Sequence, residues 1–218
     1  MLAWILIFLL ACGSLTSASN VKLKPPDTRE GYLARLLINE VPFPGEHGWL
    51  SESDTKSAML QILWVLDSRI NRVPAGYRQT EVAAVRTKDI IDVITVGGEK
   101  GQCDGFYKDS NGRFVSVPRV QERIDYLSKI AGDGKPGRFA RLLNYGQDLA
   151  NAYMKGGVKD ADRFAALNQV QDITVTGRGY SWMSDKDYYK PGGDFVKIPN
   201  EKEGALGGNR FFTLKERK

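Results

Sequence analysis

The chain has 218 residues, of which 42% are hydrophobic and 26% charged. This length is typical of one well-formed domain, and this composition excludes a generally disordered protein. The formal net charge of +5 favours an anionic partner, but basic residues are scattered among acidic ones, so we expect no nucleic-acid partner. One histidine and two cysteines exclude a zinc site built from these side chains, and we expect no bound metal.

Residues 1–19 have the pattern of an export signal. Residues 2–11 form an apolar run that is too short for a membrane-spanning helix of about 20 residues but suits the core of a secretory signal. Small residues follow, which favours cleavage near Ala18. Residues 9–12 also resemble a bacterial lipobox, which would leave a lipid on Cys12 as the protein's membrane contact. By either route we expect the protein to be exported. It would then lie in the periplasm or cell envelope, or be secreted.

A short linker over residues 20–29 precedes one domain over residues 30–216. Apolar side chains at helical spacing predict that helices form most of this domain. The predicted helices cover residues 31–41, 51–73, 87–96, 118–131 and 139–155. Residues 97–117 are rich in glycine and predict a long loop or hairpin, and loops of that length in a compact domain are often functional.

The C-terminal part of the chain differs in character from the helical part. Residues 172–176 alternate like a short strand, and irregular segments rich in glycine and aromatic residues follow. We therefore expect a mainly α fold of the α+β type, with a helical body and a small strand and loop region in the C-terminal part. Tyr180 and Trp182 are candidates to line a saccharide groove, because aromatic faces offer large, rigid contacts. Packing in the core is the alternative for both, and it is our prediction for Phe211 and Phe212.

Glu40 lies on the apolar stripe of the first predicted helix. The stripe contains Leu33, Leu36 and Leu37, and three or four residues after the last two comes Glu40. A carboxyl held against an apolar surface loses solvation, so its pKa rises and it can stay protonated near neutral pH, as a general acid requires. The alternative is a glutamate at the helix end that bends out to water, since Pro42 stops the helix.

Cleavage of a glycosidic bond usually needs a second carboxylate, as base or nucleophile. The sequence does not single one out by spacing among four acids: Glu46, Glu52, Asp104 and Asp172. Lytic cleavage of peptidoglycan does not need a second carboxylate, because the 6-hydroxyl of the muramic acid attacks C1 of its own sugar. One glutamate then protonates the leaving oxygen and afterwards takes the hydroxyl proton.

Several short motifs resemble those of the spore-cortex-lytic (SleB-type) cell-wall hydrolases. Residues 33–40, followed by the Gly-Glu pair at 45–46, resemble the opening motif of that family, in which Ala-Arg and four further residues precede the catalytic glutamate. Residues 67–73 are similar to the Asn-Arg-containing second helix. Residues 177–182 stand where the family has a substrate-facing aromatic stretch, and residues 207–212 resemble its closing Gly-x-His-x-Phe-Tyr segment.

The resemblance covers about residues 30–214 and implies a lysozyme-like fold. It also implies lytic transglycosylase or muramidase activity on the glycan strands of peptidoglycan, with Glu40 as the catalytic acid and base and with no cofactor. Together with the aromatic pattern, it gives four candidates for substrate binding: Tyr180, Trp182, Glu46 and Asn209.

The chain departs from the family pattern at three points. The Gly-Glu pair follows a Pro-Phe-Pro insertion, Asn209 replaces a histidine, and Phe212 replaces a tyrosine. These departures concern Glu46 and the shape of the groove, and they leave Glu40 unchanged.

Two other functions stay open at this point. Cys103 would be the nucleophile of a wall peptidase with His47 as its base, although His47 comes first in the chain and such peptidases run cysteine then histidine. A buried, unreactive thiol is the alternative for Cys103.

The other function is a non-catalytic peptidoglycan-binding envelope protein, since a fold does not establish an activity. If Glu40 opens into a groove beside Tyr180 or Trp182, the enzyme is favoured, and if that groove is filled, the binding protein is favoured. The sequence does not indicate an oligomeric state.

Overall fold

A computed structural model gives the fold and describes residues 21–132, 137–184 and 192–217. The predicted export signal, together with Cys12, lies outside these residues. Across the described ranges, no helix is both long enough and apolar enough to cross a bilayer.

The described residues form six α-helices and eight β-strands. The helices are α1 (Arg29–Asn39), α2 (Glu52–Asn71), α3 (Gln79–Ala83), α4 (Ile90–Thr95), α5 (Pro118–Gly132) and α6 (Arg138–Met154). The strands are β1 (Phe106–Lys108), β2 (Phe114–Ser116), β3 (Gln169–Val170), β4 (Ile173–Thr174), β5 (Ser181–Ser184), β6 (Phe195–Lys197), β7 (Ala205–Leu206) and β8 (Asn209–Leu214). The protein is therefore of mixed α+β architecture, which agrees with the broad α+β class predicted from the sequence.

The five predicted helices all form, with ends within three residues of the predicted positions. Helix α3 is not among the predicted helices, because its five residues bury only Val82 and Ala83 and so show no periodic pattern. The glycine-rich segment at 97–117 contains the antiparallel β1–β2 hairpin. The predicted strand at 172–176 is shorter than expected and pairs with β3 across a tight turn, in which Gln171 has φ 51°.

Helix α1 is the centre of the helical body. Its residues from Gly31 to Ile38 are all buried, because α6, α5 and α2 pack around it. A helix that is covered on all sides must be apolar around its circumference, and α1 meets this requirement apart from Arg35. The Arg35 guanidinium donates to the carbonyl oxygens of Lys24 and Gly31. The C-terminal end of α1, at Glu40, lies at the edge of the core.

Part of the predicted linker packs on the domain. The backbone N–H groups of Lys22 and Lys24 donate to side-chain oxygens of Asn144 and Gln147 on α6, both at 2.8 Å. Thr28 then caps α1 by accepting a hydrogen bond from the Gly31 N–H. The start of α1 is therefore fixed by the segment that precedes it.

A four-stranded antiparallel sheet forms the C-terminal part, with β8 at its centre. Strand β5 pairs with one side of β8, and β6 and β7 pair with the other. Phe211 and Phe212 point to opposite faces of β8 and are both fully buried, which confirms the prediction that they belong to the core. In the β5–β8 register, Trp182 lies opposite Phe211.

Buried polar contacts hold this sheet region against α2. Asp162 accepts hydrogen bonds from the Gln61 side chain of α2 at 2.9 Å and from the Gly179 N–H at 3.0 Å. Asp54, in the first turn of α2, accepts one from the Gly207 N–H at 3.0 Å. These contacts fix the position of β5 and β8 relative to α2.

Gly207 makes the closest approach between the turn that precedes β8 and helix α2. Its φ is +52°, and a Cβ atom built on it would lie 2.3 Å from the Cβ of Ala58. A side chain at this position therefore meets both backbone strain and a steric clash.

We predict that Gly207→Ala lowers the free energy of unfolding by about 2 kcal/mol or more, because strain and overpacking add. Gly112→Ala is the matched control, since Gly112 has φ +75° but open space around it. Urea denaturation of both variants measures the difference. Equal losses in the two variants would contradict a specific clash with α2.

Candidate active site

Glu40 is the C-terminal capping residue of α1, and its side chain is half-buried. Its backbone N–H still bonds to the Leu36 carbonyl at 3.0 Å, and the chain then turns away at Pro42. Burial raises the pKa of the Glu40 carboxyl, while hydrogen bonds from Trp182 and Asn39 act in the opposite direction. The carboxyl therefore does not extend into bulk water, which was the alternative that the sequence left open.

Trp182 is the direct partner of this carboxyl. Its indole Nε1–H donates to Oε2 of Glu40 at 2.9 Å, and its side chain is 9% exposed. The Arg69 guanidinium lies 5.4 Å from the Trp182 ring centroid and donates to the backbone carbonyl of Tyr180. Burial lowers the pKa of Arg69 to about 10, so this residue remains a cation at neutral pH. The ring is thus held between a carboxyl and a cation.

Asn209 holds the backbone of Glu40 in place. Its side-chain N–H₂ group donates to the Glu40 carbonyl oxygen at 2.7 Å and to the Gly207 carbonyl oxygen at 3.0 Å. Asn209 is buried at the start of β8, so the central strand of the sheet contacts the end of α1 directly.

Glu46 closes the loop that follows α1. It accepts a hydrogen bond from the Phe43 N–H at 2.7 Å and forms an ion pair with Arg123 at 2.6 Å. The same guanidinium donates to the carbonyl oxygens of Ile38 and Val41, both at 2.9 Å. With both carboxylate oxygens engaged by Arg123, Glu46 supports the shape of the loop.

Tyr180 lies inside the protein. Its side chain is 1% exposed, packs with Val82 and Leu214, and donates its hydroxyl hydrogen to the Arg72 carbonyl. Burial raises the pKa of this hydroxyl to about 12. The structure therefore gives Tyr180 a packing role in place of the sugar contact that the sequence suggested.

Two open clefts meet at Glu40. The first, of about 490 Å³, is lined by Trp182, Arg69 and residues of the 81–84 and 101–104 segments. The second, of about 460 Å³, runs past Asn209 and the Glu46–Arg123 pair. Two cavities of 590 and 640 Å³ lie elsewhere, and neither is lined by Glu40.

Asp104 also lines both clefts. No pattern in the sequence distinguishes it from the other acids, because it approaches Glu40 only through the folding of the glycine-rich segment onto the end of α1. The sequence gives Asp104 only as one of four possible second carboxylates, and its position in both clefts distinguishes it from the other three.

The site does not fit a cysteine peptidase. Cys103 is 1% exposed, and burial raises the pKa of its thiol far above its usual range. His47 lines the second cleft, whereas Cys103 lines neither of the two. A thiol in this environment has no access to substrate and does not ionise near neutral pH.

Comparisons of the chain with protein-family models, with curated proteins and with solved structures gave no match. A function for this chain therefore has to be inferred from the geometry and electrostatics of its site.

We predict that Trp182→Phe raises the pKa of Glu40 further. The variant removes a hydrogen bond that stabilises the ionised carboxylate, while the apolar ring that buries the site stays. NMR titration of the side-chain carboxyl carbon measures the change. Trp64→Phe is the control, because the buried Trp64 N–H has no hydrogen-bond partner among the described residues. An unchanged or lowered pKa in Trp182→Phe would contradict the role of the indole.

We predict that Glu40→Gln stabilises the fold at neutral pH. Below about pH 4.3, Glu40 is protonated in both folded and unfolded states, so the variant and the wild type differ little. As pH rises from there towards the raised folded pKa, only the unfolded state ionises, and the wild type loses stability that the variant keeps.

Chemical denaturation across this pH range measures the effect, and Glu52→Gln provides a control of opposite sign. The hydrogen bond from Arg141 lowers the pKa of Glu52 to about 2, so Glu52→Gln should destabilise the fold above pH 4.3. If Glu40→Gln also destabilised the fold at neutral pH, Glu40 would not be held as a protonated acid.

Proposed function

We propose that this protein cleaves the glycan strands of peptidoglycan with Glu40 as the general acid. The observation that carries this proposal is the position of Glu40, a half-buried carboxyl with a raised pKa at the point where two open clefts meet. A general acid needs a proton that is retained near neutral pH and is accessible to the bond that breaks.

The hydrogen bond from Trp182 orients the Glu40 carboxyl. Oε2 accepts the indole N–H, and in our proposal Oε1 carries the acidic proton. This proton passes to the glycosidic oxygen as the C1–O bond breaks and C1 gains positive charge. The carboxylate that remains keeps its hydrogen bond from Trp182, which stabilises the charge left on Glu40.

The contacts around Glu40 support a fixed acid. Asn209 holds its backbone carbonyl, and the Glu46–Arg123 pair fixes the loop that follows. Neither contact uses the side-chain oxygens of Glu40. A catalytic group must be held within fractions of an ångström of its productive position, and these contacts serve that purpose.

The paired clefts support a chain-like substrate. Glu40 lines both clefts, which together offer room for more than one sugar ring, and their walls combine an aromatic ring with amides and guanidinium groups. A lysozyme-like fold and export through residues 1–19 are further parts of this proposal. The family resemblance implies the fold, and the apolar run near the start of the chain indicates export.

The competing proposal is a wall-binding protein without activity. A filled groove at Glu40 would have favoured it. The two open clefts beside a carboxyl with a raised pKa favour the enzyme instead.

The test is release of muropeptides from purified peptidoglycan by the mature wild-type protein and by Glu40→Gln. Replacing the acid removes the titratable proton while keeping the shape, so we expect a loss of about 10²-fold or more. Glu52→Gln, which alters an acid outside both clefts, should keep the activity. Unchanged glycan cleavage in Glu40→Gln, or none in the wild type, would contradict the proposal.

A further inference from the structure

We infer that Asp104 is the second carboxylate of the reaction and activates the attacking water, so that the glycan strand is hydrolysed. This inference rests on the proposed function, and it selects hydrolysis over the lytic route that needs only one acid.

The shared lining of the two clefts supports this role. Glu40 and Asp104 are the only described residues that line both of them. A glycan strand bound across both clefts therefore has access to both carboxyl groups. Two carboxyl groups that flank the scissile bond are the arrangement that glycoside hydrolysis commonly uses.

Asp104 projects from a well-anchored turn. Its neighbour Cys103 and the nearby Phe106 are buried in the core, and the Phe106 N–H bonds to the Cys103 carbonyl at 3.0 Å. The Gly105 N–H bonds to the Glu99 carbonyl at 2.7 Å, which closes the turn on its other side. The backbone of Asp104 is thus fixed while its side chain extends into the clefts.

The two carboxyl groups have different surroundings. Glu40 is half-buried beside an indole, whereas the side chain of Asp104 is 68% exposed and forms an ion pair with Arg119. Water therefore has access to Asp104. The negative charge of Asp104 adds to burial in raising the pKa of Glu40. Glu40 is thus suited to give a proton, and Asp104 lies where it can contact the attacking water.

The inferred step consumes one water molecule. Asp104 takes a proton from the water as its oxygen bonds to C1, and the C1–O bond to the leaving sugar breaks with its electron pair on that oxygen. Glu40 protonates the same oxygen. The products are a strand with a reducing end and a strand with a free hydroxyl, and solvent then returns the proton from Asp104 to Glu40.

The experiment uses the mature protein, purified peptidoglycan and mass spectrometry of the new sugar ends. We expect the wild type to release reducing ends, which are heavier than anhydro ends by one water. We expect Asp104→Asn to lose about 10²-fold or more of this activity with little change in its melting temperature. Glu99→Gln is the matched control, because it removes an exposed carboxylate of the same segment that lines neither cleft.

A second variant separates a catalytic role from a structural one. Asp104→Ala leaves space beside C1, and added azide needs no base to attack there, so we expect azide to restore cleavage with a glycosyl azide as product. Anhydro ends from the wild type, or full activity in Asp104→Asn, would overturn the inference while leaving Glu40 as the acid. If the wild type cleaves no glycan at all, the proposed function fails as well.

Discussion

The hydrogen bond between the Trp182 indole and the Glu40 carboxyl joins the two halves of the protein. Glu40 ends the central helix of the helical body, and Trp182 lies in the C-terminal sheet, 142 residues later in the chain. Asn209 adds a second link from β8 to the same helix end. Because the clefts lie where these halves meet, their shape depends on the packing that keeps this hydrogen bond in place.

The sequence predicts the helical body well, because its long helices carry apolar residues at helical spacing. The C-terminal sheet gives little signal, since its strands have two to six residues and glycines interrupt them. Glu40 could be identified as a candidate general acid from its position on the apolar stripe of α1. Trp182 could be chosen as a candidate site residue, but its hydrogen bond to Glu40 depends on strand register. Tyr180 has similar chain neighbours but faces the core.

The site combines groups that would be unfavourable in an ordinary core. A half-buried carboxyl, a buried arginine and a buried thiol lie near one another, and each has a pKa displaced by burial. Such an arrangement lowers stability, and proteins keep it where function requires it. The contacts of Arg69 with Trp182 and with the Tyr180 carbonyl limit this loss, because they satisfy the arginine within the same wall that holds the indole.

The most direct test of the central claim is a crystal structure of the Glu40→Gln variant with a tetrasaccharide of alternating N-acetylglucosamine and N-acetylmuramic acid. We predict sugar rings in both clefts, with a glycosidic oxygen within hydrogen-bond distance of the substituted side chain and the Trp182 contact intact. A glycan bound away from Glu40, or one confined to a single cleft, would contradict cleavage at the junction of the two clefts.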